Sequence, residues 1–93
     1  MKIIQSRLFE RKVKKLSKLQ KSQLDDVIRK IVNNPSIGDQ KKGDLKMVYI
    51  YKFMIDQNMF LLAYSYNSEM IELIMLGPHE NYYRDLKNFL KRT

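Results

Sequence analysis

The chain carries 1 histidine, His79, in the run Leu76-Gly77-Pro78-His79-Glu80-Asn81-Tyr82-Tyr83-Arg84-Asp85. An apolar stretch and a Gly-Pro pair precede it, so it reads as a residue at a strand end, where functional groups concentrate. An imidazole titrating near pH ~6.5 can give or take a proton in neutral solution. Arg84 and Lys52 could hold the charge of a phosphate, and Tyr82 or Tyr83 could stack on a base. Tyr83 reads equally well as a core anchor of the last helix. A lone histidine is usually structural or a plain surface residue, but the basic chain around this one tips the reading toward function. No Gly-rich phosphate loop, Ser-His-Asp set or metal-ligating constellation is present in the sequence, and one histidine excludes two-histidine chemistry. Neither a metal nor a cofactor is therefore expected.

The charge pattern points to an anionic partner. Lys+Arg number 18 against 10 Asp+Glu, a formal net charge of +8 over 93 residues. From Lys2 to Lys21 there are eight basic residues against Glu10 alone. Two further knots are Lys41-Lys42-Lys46 in a loop and Arg84-Lys87-Lys91-Arg92 at the end. Such a field suits nucleic acid, with steeply salt-dependent binding. It also suits an acidic protein, and a solvated helix face remains the plain alternative.

The elements that must position these groups follow from periodicity. Ile3-Ile4-Gln5 reads as a short strand and Ser6 as a helix N-cap. Phe9, Val13, Leu16 and Gln20 then recur at helical spacing, opposite a face of Lys and Arg. A second helix is expected from Ser22, with Leu24, Val27, Ile28, Ile31 and Val32 as its apolar stripe and Asp25 and Asp26 near its positive end. Asn33-Asn34-Pro35 ends it. Residues 35–44 read as a loop. From Leu45 the pattern turns to strand type: Leu45 to Met54, Met59 to Tyr66 and Met70 to Leu76, separated by Asp56-Gln57-Asn58 and Asn67-Ser68-Glu69. Links this short demand antiparallel pairing. Leu61 and Ala63 point to one face, Phe60, Leu62 and Tyr64 to the other; one face should cover the helices while the other presents aromatic groups. Gly77-Pro78 should break the last strand, and Glu80 to Lys91 should close the fold as a helix with Tyr83, Leu86 and Leu90 at helical spacing. The expectation is an α+β layer fold with the helices on one face of the sheet.

Length and composition set the outer bounds. The chain fits a single domain over residues 1–93. With 44% hydrophobic and 30% charged residues it is neither disordered nor of low complexity. Cys 0 excludes disulfides and fits a reducing, cytoplasmic setting. No apolar run approaches the ~20 residues of a membrane span, and the start lacks the apolar core of a secretory signal.

Several segments stand together in order and spacing: Phe9-x-x-Lys12-Val13-x-Lys15-Leu16, Ile31-x-x-Asn34-Pro35, Lys42-Gly43-Asp44-Leu45, Val48-Tyr49-Ile50-Tyr51-Lys52-Phe53, Leu62-Ala63-Tyr64 and Leu76-Gly77-x-His79-Glu80-x-Tyr82-Tyr83-x-Asp85-Leu86. Together they resemble the RelE/ParE superfamily of bacterial toxins from type II toxin–antitoxin pairs. The resemblance implies a microbial-RNase-like fold: an N-terminal helical hairpin on a mainly antiparallel four-stranded sheet, with a short C-terminal helix. RelE-type members cut messenger RNA at the ribosome without a metal, by attack of the 2′-hydroxyl on the adjacent phosphate. By that resemblance His79 matches the general acid of histidine-using members and Tyr83 their aromatic residue. Lys46, Lys52 and Arg84 become phosphate clamps, with Lys42 and Tyr82 also on the RNA, and Glu80 becomes a base or, alternatively, a cap of the last helix. The implied partners are a cognate antitoxin, in a hetero-oligomer, and mRNA on the ribosome. Two departures stand out. RelE has an arginine near the start of the meander's second strand, where this chain has Met59-Phe60-Leu61-Leu62, and a basic run where this chain has Pro78-His79-Glu80. The histidine-driven chemistry therefore fits better than the arginine-driven one. ParE-type members share the fold and poison DNA gyrase instead, which is the alternative activity.

Overall fold

The computed structural model describes residues 2–41 and 47–91. Chain order is β1 (Lys2–Gln5), α1 (Arg7–Lys14), α2 (Lys18–Asn33), a single helical turn (Pro35–Ile37), β2 (Asp39–Gln40), β3 (Tyr49–Ile55), β4 (Asn58–Tyr66), β5 (Met70–Pro78) and α3 (Tyr82–Lys91). The described strands form one sheet in the order β1-β5-β4-β3-β2. β1 runs parallel to β5, and the other pairs are antiparallel. The strand beyond the expected four is β2, only two residues long, where Asp39 and Gln40 pair with Ile50 and Tyr49. So short a strand has no alternation to read, and it lay hidden in a stretch that scans as loop.

Capping divides the N-terminal helices differently from the expectation. Ser6 caps α1, its Oγ accepting from Phe9 N at 3.0 Å. The helix then stops at Lys14, and Ser17 opens α2 with a full capping box: Ser17 Oγ accepts from Gln20 N at 3.1 Å and Gln20 Oε1 from Ser17 N at 2.9 Å. The second helix thus begins at Lys18, not at Ser22, and Asp25 and Asp26 lie mid-helix, where Asp26 pairs with Arg29 at 2.7 Å. Apolar spacing runs through the break because α1 and α2 both turn their stripes to the same sheet face. α2 ends as expected, Asn34 N donating to Lys30 C=O at 3.0 Å just before Pro35.

The two sheet faces carry separate cores. Phe9, Leu24, Val27 and Ile31 from the helices pack on Phe53, Ile55, Leu62, Tyr64, Ile71 and Leu73. The aromatic-rich face is therefore the one under the hairpin, contrary to expectation, since broad rings fill the gap between sheet and helices. The opposite face, with Ile50, Leu61, Ala63 and Ile74, is covered by Tyr82 and Leu86 of α3. The helices thus divide between both faces. Tyr64 ties the loop to the sheet: its hydroxyl donates to Pro35 C=O at 2.6 Å and accepts from Gly38 N at 2.9 Å. A Cβ at Gly38 would sit 2.7 Å from that oxygen, so the close approach requires glycine.

β5 continues through Gly77 and Pro78, which pair with Leu61 and Phe60, rather than breaking before them. Pro78 is tolerated because β1 pairs with β5 only from Met70 to Leu73. Between these stretches the β4–β5 ladder shifts register at Ala63/Tyr64. Two hydroxyls satisfy the carbonyls around this bulge: Ser6 Oγ donates to Ile74 C=O, and Tyr82 Oη to Met75 C=O at 2.6 Å.

Candidate functional site

The link from β5 to α3 fixes the histidine. Tyr82 N donates to His79 C=O at 3.2 Å, closing a turn with Asn81 at φ 59. Asn81 C=O then accepts from Asp85 N at 3.1 Å and starts α3. Tyr82 is only 1% exposed and its ring lies against Gly77. Burial drives its phenol well above the ordinary tyrosine range, a backbone hydrogen bond at Ala63 offsetting part of the rise. The expected role of Tyr82 as an RNA-stacking residue is thereby corrected: its ring is core and has no free face for a base.

His79 itself is exposed. Its ring stands edge-on to Tyr83, with centroids 6.3 Å apart and planes at 85°. Lys41 Nζ lies 5.3 Å from the centroid of the same Tyr83 ring. Tyr83 is half-buried against the core that Tyr82 and Leu86 fill, so it both anchors α3 and shows an accessible part. Lys41 is held by its own backbone, Lys41 N donating to Val48 C=O at 2.9 Å. The sequence named Lys41 only within a basic knot; no local signal singles it out, because β2 beside it is two residues long. Lys52 is exposed on β3, directly opposite Leu61, which in turn faces Gly77. Cross-strand partners share a face, so Lys52 stands on the α3 side of the sheet. The structure thus brings together His79, Tyr83 and Lys41, with Lys52 on the same face.

Other expected residues lie elsewhere. Glu80 lines a cleft of about 610 Å³ between α1 and α3, together with Arg11, Lys12, Lys15, Pro78 and Asp85. Among the described residues no hydrogen bond caps α3 through Glu80. The Arg84 guanidinium turns to Asp85 Oδ1, with Nε and Nη2 both at 3.4 Å. Both partners are exposed, so this pair leaves Arg84 largely free energetically. Lys42 and Lys46 lie outside the described residues. Among those described, no three His, Asp or Glu side chains cluster as a metal site would require.

A five-stranded mixed sheet with a capped helical hairpin on one face, and an exposed His–Tyr–Lys group at the sheet's end on the other, defines a small α+β protein. Residues 3–87 match the family model described as ParE-like toxin of type II bacterial toxin-antitoxin system, and the chain belongs to that family. Solved structures agree on the fold. E. coli RelE in the free state, as a double arginine-to-alanine mutant, superposes with a TM-score of 0.73 at 18% identity, covering 98% of this chain and 95% of that one. RelE in the intact E. coli RelBE toxin–antitoxin complex gives 0.67 at 18%, over 85% and 96%. The YoeB/ParE toxin from Agrobacterium tumefaciens gives 0.66 at 17%, over 85% and 99%. Compared with curated proteins one by one, the sequence finds no match.

Proposed function

We propose that this toxin is a metal-independent endoribonuclease that cuts mRNA on the ribosome, inhibits translation in the cytoplasm, and is neutralised by its cognate antitoxin. The observation that carries this reading is the exposed His79 imidazole beside Tyr83 and Lys41 on the sheet face that also bears Lys52. In the reaction the 2′-oxygen attacks the adjacent phosphorus as its proton leaves to a base. The bond to the 5′-oxygen breaks, and that oxygen takes a proton from the His79 imidazolium. The products are a 2′,3′-cyclic phosphate and a free 5′-hydroxyl. Lys52 and Lys41 neutralise the charge that builds on the phosphorane, with Arg84 able to join from α3. Tyr83 offers its accessible part to a flanking base. The 2′-hydroxyl's proton goes to water or to a ribosomal group better than to Glu80, whose carboxylate faces the α1 cleft.

The antitoxin reading rests on that same cleft. Among the described residues β1 leaves the edge of β5 beyond Leu73 without a strand partner, and Arg11, Lys12 and Lys15 line one wall. An acidic segment, disordered alone, would fold across such an edge. The ParE-like family match favours a second reading, a non-enzymatic gyrase poison. Induction in cells separates the two. The nuclease reading expects growth arrest with new mRNA 5′ ends inside coding regions, and their loss with His79→Ala. DNA breaks and an SOS response with intact mRNA would replace it with the gyrase reading.

A further inference from the structure

Resting on the ribonuclease reading, we propose that Met54 and Met59 form the platform on which the base next to the cut bond stacks, and so set specificity and affinity. The two are a direct cross-strand pair on β3 and β4, and they are 52% and 42% exposed. Large apolar side chains facing water side by side are costly and mark a contact surface. By the alternation of β3 they share the face of Lys52, two residues earlier, whose ammonium makes no ion pair among the described residues. Pro78 pairs with Phe60, so the chain leaves β5 at His79 beside the Met54–Met59 row.

The occupant follows from this setting. An acidic peptide would use Lys52 but gains little from two unbranched thioethers. A nucleotide uses both: phosphate on the lysine, base on the sulfurs. Polarisable thioethers favour contact with an aromatic face, and their three rotatable bonds adapt to any ring. Stacking supplies base-tolerant affinity, with preference arising from stacking strength. α3 covers Leu61 and Ala63 but leaves this pair uncovered.

The test measures cleavage of mRNA on programmed ribosomes by the purified full chain, by Met54→Ser/Met59→Ser and by Met54→Leu/Met59→Leu. The expected result is a KM raised roughly tenfold in the serine variant with kcat little changed, a flattened preference among codons, and a smaller rise in KM in the leucine variant, which keeps the apolar area but not the sulfurs. An unchanged KM and codon preference, with wild-type cleavage intact, overturns the platform and leaves the nuclease reading standing. Unchanged KM with weaker antitoxin binding assigns the pair to a protein partner and overturns it equally. Absence of cleavage by the wild type sinks the nuclease reading, and the platform with it. Thermal melts check folding. Should the double serine variant melt early, Met54→Ser and Met59→Ser singly carry the same reading, and an unchanged KM in both overturns it.

Discussion

Burial of the Tyr82 phenol against the β5 bulge makes one side chain serve two ends: it satisfies Met75 C=O and it locks the turn that presents His79. Removing the hydroxyl alone strands that carbonyl, so Tyr82→Phe should lose about 1–2 kcal/mol near pH 8. The pH dependence has a definite sign. Burial raises the folded-state pKa of Tyr82 and, to a lesser degree, of Tyr64, where a hydrogen bond from Gly38 opposes it. A raised phenol pKa leaves stability whole below the unfolded value of about 10 and drains it as pH climbs above that. Urea unfolding between pH 8 and 11 should show falling stability, at up to ~1.4 kcal/mol per pH unit for each such group. The fall should be shallower in Tyr82→Phe, and equal slopes would contradict the assignment. At this scale the sequence showed His79 as a candidate and weighed Tyr83, but not Tyr82, as a core anchor, whereas Tyr82 is the fully buried ring. Adjacent tyrosines at the start of a helix differ by about 100° of rotation. Only the position of the sheet beneath decides which ring is core.

Among the elements, the β3–β4 hairpin is the least comfortable. Asp56 and Gln57 both have positive φ, 48° and 68°, the geometry of a two-residue primed turn. Glutamine pays a left-handed penalty that glycine avoids, so Gln57→Gly should raise stability by about 0.5–1 kcal/mol. A thermal melt checks it, and a lower midpoint would contradict the turn. Asp56 should be kept, because its Oδ2 accepts from Gln20 Nε2 at 3.0 Å and joins the hairpin tip to α2. The presence of the three long strands, the turns between them and both ends of the helical region were legible because period and turn residues agree there; the end of β5 was not, since Gly77-Pro78 scans as a breaker yet pairs with Leu61 and Phe60. The break at Lys15–Ser17 was not, since the apolar stripe runs through it; the Ser17-x-x-Gln20 box was the overlooked mark. The placement of α3 on the opposite face was not legible either. Helical periodicity says that Leu86 and Leu90 face a core but not which side of the sheet provides it. Lys41, Met54 and Met59 joined the site only through strand register, which no local pattern reveals.

As a single charged particle, the chain carries +8 with most of the excess in its first 21 residues. Three of those cations, Arg11, Lys12 and Lys15, line the α1 wall of the cleft, while Lys41 and Lys52 stand on the α3 face. Under the proposed function the two surfaces divide the field between a protein partner and an RNA. Binding of the His79→Ala variant to ribosomes should weaken steeply with salt. The slope on a log–log plot should be roughly −0.7 for each phosphate neutralised. Lys52→Met should reduce that slope by about one phosphate's worth, and an unaltered slope would remove Lys52 from the RNA face. The chemistry itself is decided by the ends it leaves. Purified protein added to ribosomes carrying a defined mRNA should generate fragments ending in a 2′,3′-cyclic phosphate and beginning with a 5′-hydroxyl, and His79→Ala should generate none while melting normally. Uncut mRNA with the wild-type chain, or equal cutting by His79→Ala, would contradict a histidine-driven nuclease.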